Sequence, residues 1–205
     1  TFEVNLNAGQ YPHGTDVALT ALDEIDRLEQ RFSYFVSDSE LSLINQRPVG
    51  KPVLVDDELF ELLTFSQQLW RETDGAFDIA CAALWKAWGF SRHQGAVPSE
   101  EEIETSLERS GMRYVELNEE QKTLTWKKSG VELNLGAVGK GYAVDVCAAD
   151  MQRAEVRDFL IHGAQSSVVA QGKYIGGKTL DGDPIGNGWS IGVAHPMRTG
   201  KRLGE

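Results

Sequence analysis

Three short segments of this sequence combine residue types that bind phosphates, sugar hydroxyls or flat rings. The first is Thr73-Asp74-Gly75-Ala76-Phe77-Asp78, in which Asp74-Gly75 predicts a helix end and the glycine permits close approach to the backbone. Asp78 is a candidate acceptor for a ribose hydroxyl or a ring edge, because a carboxylate accepts paired hydrogen bonds. The same residues also suit a helix end followed by an ordinary turn. Trp85 and Trp88-Gly89-Phe90 are either a stacking face or part of the core.

The second segment is Leu133-Asn134-Leu135-Gly136-Ala137-Val138-Gly139-Lys140-Gly141-Tyr142, which predicts a strand, a glycine-rich turn and the start of a helix. Free N–H groups at a helix start attract phosphate, and Lys140 adds a full positive charge there. Glycines in this pattern equally suit tight packing without a ligand. The spacing differs from a Walker A loop, which has Gly-Lys-Ser/Thr after four free positions, and from a complete dinucleotide fingerprint.

The third segment, Leu160-Ile161-His162-Gly163-Ala164-Gln165, places a histidine near the end of a predicted strand. A lone histidine in that position is typical of a hydrogen-bonded structural residue. The spacing of His, Cys, Asp and Glu along the chain does not match a zinc site, and the sequence contains no Gly-x-Ser-x-Gly elbow. These patterns argue against a zinc enzyme and a serine hydrolase.

The elements that must position these segments follow from hydrophobic periodicity and capping residues. Predicted helices cover Asp16 to Phe32 (capped by Thr15 or Asp16), Ser37 to Asn45 (capped by Asp38 or Ser39), Leu59 to Trp70 (capped by Asp56 or Asp57), Ser99 to Ser110 (with a Ser99–Glu102 capping box) and Gly139 to Arg153. Predicted strands cover Phe2 to Leu6, a hairpin turning at Asn118 to Lys122, Val131 to Leu135, Phe159 to His162, Ser167 to Ala170 and Trp189 to Val193. Because strands and helices do not alternate regularly, the pattern favours an α+β fold over a doubly wound sheet.

Composition limits the classes of partner. The 205 residues are 41% hydrophobic and 25% charged, as in ordinary globular proteins, and their formal net charge is -11. Without a basic stripe, nucleic acid and anionic lipid are unfavourable partners, and a diphosphate would need a locally positive site. No apolar run reaches the roughly 18 residues of a membrane span. Cys81 and Cys147 are either two buried thiols or one disulfide, and buried thiols are favoured.

Five segments, taken in order, resemble the ApbE family of FAD:protein FMN transferases. They are Arg31 to Leu41 with Asn45, Thr73 to Asp78, Trp88 to Phe90, Asn134 to Asp145, and Trp189 to Pro196. The resemblance implies an α+β fold of the tunnelling-fold type, with helices packed on a mainly antiparallel sheet in two closely joined lobes. It implies one flavin-binding domain over residues 1–205. Since Thr1 is not an initiator methionine and the chain ends in an apparent surface turn, we expect truncation at both ends.

The resemblance also implies a reaction. A threonine hydroxyl of a partner flavoprotein attacks the FMN-side phosphorus of FAD, AMP leaves, and FMN remains attached to the partner, with Mg²⁺ neutralising the diphosphate. Family members are often exported and lipid-anchored, which leaves the compartment of this chain open.

Seven positions match residues with assigned roles in the family, and none of them is catalytic. The expected flavin contacts are Phe35, Ala76, Phe77, Asp78, Asn134 and Lys140, and the expected metal ligand is the carbonyl oxygen of Ala137. Phe35 stands where other members present a tyrosine beside the flavin, so the ring is kept and the hydroxyl is lost.

Departures from the family pattern keep two alternatives open. Asn134 stands where an aspartate is usual, and His162-Gly163-Ala164-Gln165 replaces a turn that usually has two glycines. The family's remaining metal ligands, an Asp and a Thr, and a histidine near the flavin belong to a C-terminal segment outside these 205 residues. The alternatives are a non-catalytic flavin-binding or assembly protein and an FAD pyrophosphatase.

Overall fold

The computed structural model describes residues 1–92, 95, 97–164, 166–175 and 188–204. The chain divides into two compact units, one of Thr1–Asp26 with Lys140–Glu205 and one of Arg27–Gly139. We call them the first and the second unit. The single domain predicted for residues 1–205 stays a prediction.

The described residues form six α-helices, of which five match predicted helices and the short one at Ala82–Ala87 was not predicted. They are α1 (Gly14–Phe32), α2 (Glu40–Asn45), α3 (Asp57–Glu72), α4 (Ala82–Ala87), α5 (Glu100–Glu108) and α6 (Gly139–Arg153). Ser39 caps α2 and Asp56 caps α3, each by accepting a backbone N–H with its side chain. Ser99 and Glu102 form the predicted capping box of α5. Helix α1 begins at Gly14, one residue before Thr15, the earlier of its two predicted caps.

The strands are β1 (Phe2–Leu6), β2 (Val53–Leu54), β3 (Val115–Asn118), β4 (Thr123–Trp126), β5 (Phe159–Gly163), β6 (Ser167–Gln171), β7 (Val193–Ala194) and β8 (Arg202–Gly204). In the first unit β1, β5 and β6 form an antiparallel sheet in that order, with Val4 opposite Ile161. Phe159 and Ile161 are fully buried on one face of this sheet. Strands β5 and β6 confirm the strands predicted at Phe159 to His162 and Ser167 to Ala170, each one residue longer.

The second unit contains an antiparallel sheet in the order β2-β4-β3, which includes the predicted hairpin. Trp126 at the end of β4 is buried, and its indole Nε1–H donates to the carbonyl oxygen of Ile44 at 3.0 Å. This bond fixes the end of α2 against the sheet, because a buried indole N–H requires an acceptor.

Two predicted strands differ from the structure. Residues Val131 to Leu135 do not form a strand, because a side chain and a loop carbonyl take the place of a neighbouring strand, as described below. Of the predicted strand Trp189 to Val193, only Val193 belongs to a strand, where it pairs with Gly204 of β8. The pairing of β7 with β8 forms a hairpin at the end of the chain, where the sequence predicted a surface turn. The segment from Gly172 to Gly188 is rich in Gly and Asp, a composition that predicts a loop, and its residues 176–187 lie outside the described residues.

Both cysteines are free thiols, as the sequence favoured. Cys147 is buried within α6, and burial raises the pKa of its thiol to about 11. In the part of the chain that the structure describes, no helix has the length and apolarity needed to cross a membrane.

Candidate functional site

The segment Thr73–Asp78 begins as a helix end with two left-handed residues. Asp74 has φ 50° and Gly75 has φ 83°. The N–H of Gly75 donates to the carbonyl oxygen of Trp70 at 2.8 Å, and the N–H of Asp74 donates to that of Arg71 at 3.3 Å. This is the hydrogen-bond pattern of a Schellman cap, and it turns the chain sharply at the end of α3.

Beyond this cap the segment is held by its own side chains. The Thr73 hydroxyl donates to the carbonyl oxygen of Leu69 at 2.8 Å and accepts the N–H of Phe77 at 3.0 Å. Ala76 is exposed and Phe77 is half-buried, so backbone and ring edge are both open to a ligand.

The carboxylate of Asp78 accepts hydrogen bonds from two backbone N–H groups. One oxygen accepts the N–H of Ala80 at 2.8 Å and the other accepts the N–H of Met112 at 3.0 Å. A carboxylate has about four acceptor positions, so capacity for a ligand hydroxyl remains. The predicted flavin contact of Asp78 stays a prediction, beside a structural role that the sequence did not reveal.

The segment from Val131 to Leu135 is extended but is paired by an asparagine side chain. Asn45, the last residue of α2, donates its Nδ2–H to the carbonyl oxygen of Leu133 and accepts the N–H of Leu133 with Oδ1, each at 2.9 Å. The next N–H, that of Asn134, donates to the carbonyl oxygen of Ile79 at 2.7 Å. Within the second unit the structure therefore brings together the Thr73–Asp78 segment and the segment that carries Asn134.

Asn134 then starts a tight turn. Its Oδ1 accepts the N–H of Gly136 at 2.9 Å and so caps the 3₁₀ helix Leu135–Ala137. Ala137 is exposed at the end of this turn, two residues before α6 begins. Lys140 is exposed in the first turn of α6, belongs to the first unit, and forms no ion pair with any residue that the structure describes.

An exposed aromatic face lies in the second unit. Phe35 is 68% exposed, and its ring centroid lies 5.6 Å from that of Trp85 in α4. Tyr34 packs edge-on against both rings, at 5.9 Å from Phe35 and 5.8 Å from Trp85. Trp88 and Phe90 are also partly exposed, so these clustered aromatics are not a closed core.

Glu132 connects the aromatic face to the asparagine-bearing segment. Its carboxylate accepts the phenol O–H of Tyr34 and pairs with Lys86 Nζ at 2.7 and 2.9 Å. Lys86 also lies 5.6 Å from the centroid of the Tyr34 ring. Partial burial and the bond to Glu132 raise the pKa of Tyr34. Partial burial alone would lower the pKa of Lys86, but hydrogen bonds to Glu132 and Tyr34 raise it.

Sequence reasoning did not identify Tyr34, Lys86 or Glu132 as contributors to a site. Glu132 occupies the polar position between buried Val131 and Leu133, which marks it as outward-facing but gives no partner. A groove of about 520 Å³ also touches Lys86 and Glu132 and is otherwise lined mostly by α4 and α5. Its lining includes none of the seven predicted site residues.

The described residues do not complete a magnesium site. Among them, no three His, Cys, Asp or Glu side chains are grouped so that they could hold a metal ion. The carbonyl of Ala137 offers one oxygen, whereas Mg²⁺ takes six in near-octahedral geometry.

Comparison with known proteins extends these observations. The sequence profile of the ApbE family matches residues 1–204. The FAD:protein FMN transferase of Haemophilus influenzae is 26% identical over 180 residues, which cover 85% of this chain and 49% of that protein. The chain spans about half the length of the curated relatives it matches.

Two crystal structures match the fold. The ApbE protein of Thermotoga maritima has a TM-score of 0.78 and 26% identity, covering 97% of this chain and 64% of that one. The apo flavinyl transferase ApbE of Pseudomonas stutzeri has a TM-score of 0.74 and 25% identity, covering 94% and 58%. These matches confirm the predicted α+β class, with helices and mainly antiparallel sheet. With the profile matched over nearly its whole length, this chain belongs to the ApbE family.

Proposed function

We propose that this chain carries the flavin-binding part of an FAD:protein FMN transferase. The activity is the transfer of FMN from FAD to a threonine hydroxyl of a partner flavoprotein, with release of AMP. Membership of the family supports this proposal, as do relatives named for that activity. The observation that carries it is the 2.7 Å bond from Asn134 N–H to the carbonyl of Ile79, the residue that directly follows the matched segment Thr73 to Asp78.

Each predicted residue has a role suited to its surroundings. Phe35 offers a flat, exposed ring for stacking against the flavin, because offset aromatic rings attract each other. Ala76 and Phe77 offer backbone groups beside a tight turn. Asp78 holds the backbone of Ala80 and Met112, Asn134 caps the turn Leu135–Ala137, and both keep polar atoms for the ligand. Lys140 offers an ammonium for the diphosphate, as a charge-assisted hydrogen bond.

The chemistry is phosphoryl transfer. The threonine oxygen forms a bond to the FMN-side phosphorus while the bond from that phosphorus to the AMP phosphate oxygen breaks. In this class of reaction the protein contributes mainly by positioning the reacting groups and by stabilising charge. The residues of this chain would bind and orient FAD through the contacts above.

Magnesium belongs to the proposal, with the Ala137 carbonyl as the oxygen that this chain's motif offers. When bound, Mg²⁺ neutralises charge on a diphosphate. Because the described residues supply only this one matched oxygen, we assign no step to the metal.

The test uses the full-length protein that contains these 205 residues, together with FAD, MgCl₂ and a flavoprotein subunit that bears an acceptor threonine. We expect flavin fluorescence on the acceptor band of a denaturing gel, together with one AMP per FMN attached. An acceptor with valine in place of that threonine is the matched control, and its band should show no flavin fluorescence.

Other outcomes separate the alternatives. Release of free FMN and AMP without labelling of the acceptor would identify an FAD pyrophosphatase. Bound FAD with no AMP would identify a flavin-binding protein, and no FAD binding at all would contradict all three functions.

A further inference from the structure

We propose that Glu132 is a positioning residue of the flavin site, which holds the Tyr34 ring so that Phe35 and Trp85 present one fixed aromatic face. This inference rests on the proposed flavin binding, but not on transfer to an acceptor. Nothing in the sequence pattern assigns Glu132 a role, and its partners lie in the loop after α1 (Tyr34) and in α4 (Lys86).

The geometry of the three rings is the first support. Each pair meets edge to face, with centroids 5.6 to 5.9 Å apart and interplanar angles of 67° to 88°. In such a cluster the orientation of one ring constrains the other two. Phe35 is the exposed member, so its orientation depends on the two rings behind it.

The second support is the way Tyr34 is held. Its ring packs on Phe35 and Trp85, while its hydroxyl donates to Glu132. The Glu132 side chain is 30% exposed and its carboxylate also pairs with Lys86, so it is held on two sides. Hydrogen bonds to a charged group are stronger than neutral ones, so the tyrosine ring has little freedom to rotate away.

The third support is the backbone beneath Glu132. The next residue, Leu133, is bonded through both its N–H and its carbonyl to Asn45, and Asn134 follows it. A carboxylate on a backbone held in this way is a rigid support. Glu132 thus links the orientation of the aromatic face to the segment that carries a predicted flavin contact.

A purely structural ion pair predicts something different from a positioning role. If Glu132 only stabilises the fold, its loss should lower stability and weaken every ligand alike. If it orients the aromatic face, its loss should weaken ligands that contain the flavin ring and spare ADP, which has the diphosphate and adenosine but no flavin.

The experiment measures dissociation constants of FAD, FMN and ADP for the wild-type chain, Glu132→Gln, Tyr34→Phe and the double variant. Flavin fluorescence reports FAD and FMN, and calorimetry reports ADP. We expect Tyr34→Phe to weaken FAD and FMN about tenfold or more, the size of one charge-assisted hydrogen bond. Glu132→Gln, which keeps a neutral acceptor, should weaken them about five- to tenfold, and ADP should change less than about twofold in both. The double variant should be no weaker than Tyr34→Phe alone, because Glu132→Gln weakens the same bond that Tyr34→Phe removes.

The control is Glu116→Gln, the same change at an exposed ion pair with Lys127, and it should alter no affinity. Thermal unfolding of each variant checks that it is folded, and Tyr34→Phe retains the ring if Glu132→Gln does not fold. Equal loss for FAD and ADP, or additive losses in the double variant, would overturn the inference. Unchanged FAD affinity in a folded Tyr34→Phe variant would do the same.

Failure of the proposed transfer reaction can be distinguished from failure of the proposed role of Glu132. If the full-length protein binds FAD but never labels an acceptor, the transferase is contradicted, and the affinities of the variants still test the role of Glu132. If the wild-type chain binds neither FAD nor FMN, both proposals fall.

Discussion

Asn45 and Leu133, 88 residues apart, form two 2.9 Å hydrogen bonds in which an amide side chain imitates a neighbouring β-strand. The pairing leaves Asn134 with its N–H turned to the carbonyl of Ile79, where the Thr73–Asp78 segment continues into the core. A single asparagine at the end of α2 therefore holds the segment that leads into the glycine-rich turn. Its importance to the site is through backbone placement rather than through contact with a ligand.

Replacing Asn45 by alanine should destabilise the protein by about 2 kcal/mol, because two hydrogen bonds are lost and the polar groups of Leu133 are left unpaired. Denaturant unfolding measures the change in free energy of unfolding. Asn118→Ala removes a single bond to the exposed N–H of Gln121 and should cost less than half as much. Equal losses at the two positions would contradict the assigned role of Asn45.

Lys140→Ala should weaken FAD and ADP by about tenfold or more, the effect of one charge-assisted contact to phosphate. Riboflavin, which has no phosphate, should bind equally well to both proteins. Titrations at low and high salt measure the electrostatic part, and Lys51→Ala removes another exposed lysine as a control. Unchanged FAD affinity in Lys140→Ala would remove this residue from the site.

Gly75→Ala should destabilise the protein by about 1 kcal/mol, since φ is 83° and a Cβ would lie 3.3 Å from Trp70 Nε1. Gly75→Asn is the informative comparison, because asparagine tolerates left-handed backbone better than alanine does. Thermal unfolding should therefore rank wild type above Asn and Asn above Ala. The reverse order would show that the left-handed conformation is not what the glycine supplies.

Acid should destabilise the first unit partly through Asp158. Its carboxylate accepts the N–H of Lys173 at 2.6 Å and the phenol O–H of Tyr11 at 2.8 Å, and these bonds lower the pKa of Asp158 in the folded state. The unfolded carboxyl, with a pKa of about 3.9, binds a proton first as the pH falls. The stabilisation is therefore complete above that value and is lost as the pH falls through the lower, folded pKa.

Asp158→Asn should flatten this dependence. Melting temperatures measured from pH 6 down to pH 3 should fall more steeply for the wild type than for the variant. The sheet position Glu3→Gln, exposed in the same unit, is the control for a general change of charge. Parallel curves for wild type and Asp158→Asn would contradict the role of this carboxylate.

Much of the local architecture was readable from the sequence. Ser39, Asp56 and the Ser99–Glu102 pair each bond backbone within three residues, so their effect on a helix start depends on neighbouring residues alone. The hairpin of β3 and β4 and the full extent of α6 also follow from local periodicity. The ordered motifs identified the family for the same reason, because each is a continuous run of residues.

Only the tertiary structure decided which runs of residues meet. The alternating pattern of Val131 to Leu135 predicts a strand, yet its partner is a side chain from α2, and periodicity contains no information about partners. Tyr34 and Glu132 are 98 residues apart, and Asp78 and Met112 are 34 apart. Such bonds form only after the chain has closed long loops, so they are set by the packing of the whole second unit and not by any local preference.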